Sequence, residues 1–306
     1  MITSGSHTPG VDLGLFKVPP FAAIRYERPA ATLRGLVSDY FVFDSEGPEA
    51  QNVTNWMLPT DPVIRLTLTS APILVEMGED SWVRRPTAAF YGPATRARRV
   101  RTNGGVTIGA GLTAAGVARL ADLDLSRHRD GIVELERIVD AHAAARLVAD
   151  LRASDQGPDA KPILDAFFLQ AMSRPHRSEG RIRDFDRALR QQELETASDF
   201  GARLGLPPHT LRRLANRHFG FPSQTLIART RFMRSLMAIT EAGATKGYAA
   251  IDAAYFDTSH FLRDCKRFLG MTARQFMALD TTYLDVVVRA RRAVIGTGSP
   301  ILDKHD

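Results

Sequence analysis

Cysteine is nearly absent from this chain: Cys265 is the only one in 306 residues. A single thiol excludes an intramolecular disulfide framework and any cysteine-based zinc site. Histidine is missing between residues 11 and 127, and His128, His142 and His176 come only after that gap. Long apolar runs are missing too, and none approaches the roughly 18 residues needed to span a bilayer. The opening MITSGSHTPG has no basic start followed by an apolar stretch, so no signal peptide is expected. No H-E-x-x-H, G-x-S-x-G or Walker-type pattern occurs. These absences lead us to expect a soluble cytoplasmic protein that is not an enzyme, with no catalytic residues, no metal, no cofactor and no membrane partner.

Charge is present, and it is unevenly placed. The 40 Lys and Arg exceed the 34 Asp and Glu, giving a formal net charge of +6. Between residues 195 and 280 twelve basic residues face seven acidic ones, so most of the excess lies there. Arginine dominates, and its planar fork suits phosphate and guanine better than lysine does. Such a segment would supply salt-dependent affinity for a polyanion.

The length suggests two domains. From about Leu33 to Leu112 the chain reads as short strands. VIRLTL alternates, with Ile64, Leu66 and Leu68 on one face and Arg65, Thr67 and Thr69 on the other, and VTIGAGL does likewise. Turn signals separate such runs at Gly78-Glu79-Asp80, Gly92-Pro93 and Asn103-Gly104-Gly105. Thr113 is a candidate N-cap for a helix that follows. The fold class expected is α+β: a β-rich barrel or sandwich over 1–125, a helical linker over 126–190, a helical domain over 191–285, and a C-terminal tail over 286–306.

The stretch LGLPPHTLRRLANRHFG carries the strongest signal. Gly205 ends one helix, and Pro208 opens another at a position where a missing N–H costs nothing. Leu211, Leu214, Ala215 and His218 follow one helical face; His209, Arg212, Arg213 and Asn216 follow the opposite face. Arginine forks onto guanine and asparagine onto adenine, so that outer face suits a major groove; it equally suits plain solvent. A second copy follows. In YFDTSHFLRDCKRFLG, Asp257 is the expected N-cap, Phe261, Cys265 and Phe268 point inward, and Thr258, Ser259, Arg263 and Arg267 point outward. YAAIDAAY would be its leading helix, and SQTLIARTRFMRSLMAI a long helix between the two units.

LGLPPHTLRRLANRHFGFPSQTLIARTRFMRSL and AYFDTSHFLRDCKRFLGMTARQF resemble the AraC/XylS family of transcription regulators. The second is similar to the family signature G-F-x-D-x-S-x-F-x-R-x-F-K/R-R-x-x-G-x-S/T-P. The resemblance implies a DNA-binding domain with two helix-turn-helix motifs, joined to a separate ligand-sensing or dimerising domain. It implies double-stranded DNA as partner, RNA polymerase as the target of an activator, a small-molecule effector and a homodimer. The base-reading positions it implies are His209, Arg212 and Arg213, then Thr258, Ser259 and Arg263; Thr210, Asn216 and Arg267 join them on the same faces. Pro207 stands where the family has a capping serine, Gly201 and Ala254 replace an alanine and a glycine, and Ala273 replaces a proline. More faintly, LRGLVSDYFVFD, MLPTDPVIRLTL, YGPATRARRV and GVTIGAGLTAAGVARL resemble a cupin-like sensory domain found upstream of such modules.

Other readings stay beside these. GAGLTAAG could be a dinucleotide loop, but its spacing is too long and no βαβ alternation surrounds it, which leaves a tight strand-to-helix connection. Trp56, Trp82, Phe90 and Tyr91 could line a ligand pocket or simply fill a core. RARRVR could be a nucleic-acid patch or an alternating strand. Cys265 reads as a core filler rather than a redox sensor. The alternative function is a cupin-like small-molecule enzyme with a helical dimerisation region, against which the missing histidines count. A DNA-repair protein with a similar module is a third, and it lacks the reactive cysteines that role needs.

Overall fold

The computed structural model describes residues 1–69, 71–78, 81–191, 197–242, 255, 258–279 and 282–304. The expected N-cap Asp257, Ala254, most of the YAAIDAAY helix, Glu79 and Asp80 lie outside the described residues. Ten strands lie among those that are described: β1 (Ala22–Glu27), β2 (Val37–Ser45), β3 (Val53–Met57), β4 (Val63–Leu68), β5 (Leu74–Glu76), β6 (Trp82–Arg84), β7 (Ala88–Tyr91), β8 (Arg98–Thr102), β9 (Val106–Leu112) and β10 (Ile132–Glu134). They pair antiparallel in two sheets, ordered β1-β2-β9-β4-β7-β10 and β3-β8-β5-β6.

The alternating VIRLTL is β4, hydrogen-bonded to β9 on one side and β7 on the other. Ile64 and Leu66 are fully buried in a core shared with Phe90, Ile108, Leu164 and Phe168. The opposite face does not meet solvent as a simple alternation suggests. Thr67 is buried and Arg65 lines a cavity between the sheets, because both sides of this central strand are covered. RARRVR overlaps β8, where Val100 is buried, Arg99 pairs with Glu76, and Arg101 lies over the Trp82 ring. Phe90 is core and Trp56 lines the cavity.

The GAGLTAAG segment runs from β9 into α1 (Ala114–Leu120), and the Thr113 hydroxyl caps that helix by accepting from the Gly116 N–H at 2.9 Å. Close packing explains its glycines. A Cβ on Gly109 would sit 2.0 Å from the Phe41 ring, and one on Gly116 would sit 1.9 Å from the Leu36 carbonyl oxygen.

Helices α2 (Ala141–Ala153), α3 (Ala160–Ala171) and α4 (Glu179–Leu189) cover the large sheet. The helical C-terminal part follows with α5 (Ala197–Leu204), α6 (Pro208–Phe219), α7 (Ser223–Ala242), α8 (Thr258–Leu269), α9 (Ala273–Met277) and α10 (Thr282–Ile295).

Two of the expected boundaries change. The β-rich part does not end at 125, since β10 pairs with β7 at Ile132–Glu134; three residues are too few to show a period in the sequence. Nor is 286–306 a tail. Val286, Ala290 and Val294, spaced four apart on α10, are buried against Phe16, Ile24 and Tyr26 of the β-rich half. The Arg291 side chain then crosses to Asp39 of β2 with two contacts, at 2.9 and 2.7 Å, and holds Asp303 as well.

The two halves also share a core. Leu211, Leu214, Ala215 and Phe219 of α6 belong to the same buried cluster as the large sheet and α1 to α4. The second helical unit has its own core, built on Phe232, Phe261, Cys265 and Phe268.

Candidate nucleic-acid interface

The turn between α5 and α6 forms as its residues dictate. Gly205 adopts φ +61°, where a side chain would be strained, and the chain re-enters helix at Pro208. Pro207 is the N-cap and supplies no side-chain hydrogen bond, so this helix start lacks the usual cap. Leu211, Leu214, Ala215 and His218 are buried on its inner face. His209, Arg212 and Arg213 are exposed on the outer face, with Thr210 half-buried beside them. Neither arginine is ion-paired among the described residues. Burial pushes the His218 imidazole down to about 4, with the positive Arg217 and neighbouring His176 adding to the effect.

Asn216 differs from the rest of that face. Its Nδ2 donates to the Arg212 carbonyl at 2.9 Å, and its Oδ1 accepts from the Arg129 guanidinium at 2.5 Å. Arg129 also donates to the Gly220 carbonyl, at the glycine (φ +82°) that ends α6. Nearby, Arg217 donates to Asp122 at 2.7 Å, and His176 approaches the same carboxylate at 3.3 Å. Arg217 beside Asp122 holds that carboxyl below the usual range. Arg129 and Asp122 could not be found by helical spacing, because they come from loops some 90 residues earlier in the chain.

The second unit repeats the division. Phe261, Cys265 and Phe268 are fully buried, and the Phe232 ring of α7 packs 6.0 Å from Phe261 and 5.2 Å from Phe268. Ser259, Arg263, Lys266 and Arg267 are exposed. Arg267 lies over the Phe268 ring and donates to the Thr225 hydroxyl at 3.1 Å, whereas Arg263 has no ion pair among the described residues. Thr258 is the first residue of α8. Buried Asp264 accepts from the Tyr255 hydroxyl at 2.8 Å, with Arg231 beyond it at 3.5 Å. Burial raises the Cys265 thiol to about 12, which leaves it unreactive at neutral pH.

α7 joins the two units. Its 20 residues span about 30 Å at 1.5 Å per residue. Where the family has a proline, Ala273 begins α9 behind a capping box formed by Thr272 and Gln275. No three His, Cys, Asp or Glu side chains gather as metal ligands among the described residues. No helix among them is long and apolar enough to cross a membrane.

Residues 200–278 match a family model described as "Helix-turn-helix domain". No curated protein matches the chain. Among solved structures, an apo variant of ToxT from Vibrio cholerae strain SCE256 overlaps at 12% identity and TM-score 0.42, covering 78% of this chain and 96% of that one. ToxT from Vibrio cholerae O395 bound to (E)-4-(8-methylnaphthalen-1-yl)but-3-enoic acid overlaps at 10% identity and TM-score 0.43, covering 74% and 95%. The AraC-like transcriptional activator CuxR overlaps at 12% identity and TM-score 0.25, covering 76% and 90%. With TM-scores below 0.5, these overlaps carry none of the argument that follows. The matched segment and the two units described above make residues 200–278 a helix-turn-helix domain.

Proposed function

We propose that this chain reads one specific duplex site with both helix-turn-helix units and regulates transcription by binding, not by catalysis. The observation that carries the reading is the two-faced character of α6 and α8. Each buries an apolar stripe and presents arginines that the described structure does not pair with carboxylates: Arg212 and Arg213 on one, Arg263 on the other. A rigid α7 of about 30 Å suits two readers set one turn of DNA, about 34 Å, apart. His209, Thr210, Arg212 and Arg213 would meet the first groove; Thr258, Ser259, Arg263 and Arg267 the second. Asn216 would join the first set once Arg129 releases it. The β-rich half would house a small-molecule effector in its cavity, and the output would be activation through RNA polymerase.

Selection of bound fragments from genomic DNA by the full-length protein tests this. Enrichment of one motif with two contacted blocks a helical turn apart is expected, and random enrichment at moderate salt would sink it. On the selected site, Arg213→Ala and Arg263→Ala should each cost about 1–3 kcal/mol and relax the base preference at one position. Equal losses on random DNA would mean that these arginines touch only phosphate.

A further inference from the structure

The small sheet turns one face to the cavity and the other away from it. Val53, Val100 and Thr102 line the cavity. Side chains alternate along a strand, so Arg99 and Arg101 of β8 stand on the outer face. The register sets Thr54 and Leu74 opposite Arg101, Leu74 opposite Arg84 of β6, and Glu76 opposite Trp82. Residues paired across strands share a face, so Arg84, Arg99 and Arg101 gather on the outer surface around the Trp82 ring. Glu76 is the one carboxylate within these four strands.

Only part of this charge is neutralised. Arg99 pairs with Glu76 and lies 5.3 Å from the Trp82 ring centre. Arg101 lies 4.6 Å from the same ring centre, and neither it nor the exposed Arg84 has an ion pair among the described residues. A guanidinium laid on an indole uses its flat face and keeps its in-plane N–H donors for an anion. Stacking also holds the side chain in place, which lowers the cost of ordering it on binding.

This strand starts at the second helical unit. The Ala97 N–H donates to the Phe268 carbonyl at 2.7 Å, at the end of α8, and Leu58 and Ala97 pack on that unit's core. The exposed Arg96 stands next to this junction, so basic residues continue from Arg263, Lys266 and Arg267 of α8 towards the outer face of the sheet. The five residues of β8 extend about 17 Å, half a turn of duplex. Arg99 and Arg101 stand about 7 Å apart along it, close to two steps of one DNA strand. A second copy of the chain would set like charge against like charge on this face.

We propose that the outer face of the small sheet binds the sugar–phosphate backbone of duplex DNA flanking the block read by α8, with Arg84 and Arg101 contacting phosphates. The inference rests on the reading of α8 as a DNA-reading helix. Such contacts fix register and add affinity without reading sequence. The β-rich half is then itself part of the DNA interface, outside the matched segment 200–278.

Fluorescence anisotropy of the full-length protein tests this on duplexes that carry the selected site with minimal flanks, or with one flank lengthened by about ten base pairs of arbitrary sequence, one helical turn. The α8 block is the one whose base preference Arg263→Ala relaxes. Lengthening on that side is expected to tighten binding at least about fivefold and to steepen the log–log salt slope by about 1.8, for two phosphates. Lengthening on the other side should change neither. Arg84→Gln with Arg101→Gln should abolish the gain while the short duplex binds as before, and lysine at both positions should keep part of it. Arg84→Gln alone, at an exposed edge position, should halve the added slope and remains informative if the double variant fails to fold. No gain on the α8 side, or an equal gain on both sides, would overturn the assignment. A gain that survives both glutamines would overturn it too and leave the face to an acidic protein. The absence of any enriched motif would sink the wider reading, and the comparison then runs on random-sequence duplex about four turns long. Weaker binding by the glutamine variant there keeps the face as a DNA contact, and equal binding removes it.

Discussion

Replacing Arg291 with alanine would open the joint between the last helix and the β-rich half. Arg291 is 2% exposed, Asp39 is 2% exposed and Asp303 is 4% exposed. It donates to Asp39 at 2.9 and 2.7 Å, to Asp303 at 2.9 and 2.6 Å, and to the Thr297 carbonyl at 2.8 Å. Removing one partner of a buried ion pair costs about 3–5 kcal/mol, because the remaining charge stays out of water. Here two carboxylates lose their partner at once, so the upper part of that range is expected. At roughly 2–4 °C per kcal/mol for chains approaching this size, the melting temperature should fall by on the order of 10 °C. Far-UV circular dichroism during heating reads this, and hydrogen exchange should rise locally over 286–294. Adding Asp39→Asn and Asp303→Asn to Arg291→Ala should recover much of the loss, since no unpaired buried charge then remains. A drop of less than about 2 °C for Arg291→Ala would refute the reasoning, since it would mean that α10 is not held by this cluster.

Three further outcomes are expected. His218 has a folded-state pKa of about 4, below its ordinary 6.5, so the unfolded chain takes up the proton first. Stability is therefore full above about pH 6.5 and falls towards pH 4, by up to about 1.4 kcal/mol per pH unit; urea midpoints of His218→Leu should lack this component, and an unchanged difference between pH 7.5 and pH 5 would refute it. Gly116→Ala places a Cβ 1.9 Å from a backbone oxygen that no rotamer change can move, so a loss of about 1–3 kcal/mol in chemical unfolding is expected. A neutral result there would mean that α1 shifts freely on β2. Arg129→Ala frees Asn216 and the end of α6; for so exposed a bond, worth about 1 kcal/mol, roughly fivefold tighter binding to the selected site is expected. Unchanged or weaker binding would show that Arg129 does not restrain the reader.

Much of the recognition unit is legible without coordinates. Gly205 and Pro208 punctuate the first turn through constraints that act within single residues: a positive φ and a missing N–H. The inner and outer faces of α6 and α8 follow from the 3.6-residue period alone, and the buried residues match it at Leu211, Leu214, Phe261 and Phe268. Thr113 as a cap is local in the same sense. β10 escaped because three residues carry no period, and α10 escaped because nothing in its spacing says that the far half of the chain waits to cover it.

The sequence by itself thus determined the elements whose physics is local: where the recognition helices start and turn, and which of their faces is apolar. Only the tertiary structure decided which charges meet. Arg291 found Asp39 252 residues away, Arg129 found Asn216 87 residues away, and the buried Nε atoms of Arg65 and Arg85 have no partner among the described residues. A charge repeats no period and reaches only a few ångströms once buried, so its partner is set by how sheets and helices stack and not by its neighbours in the chain.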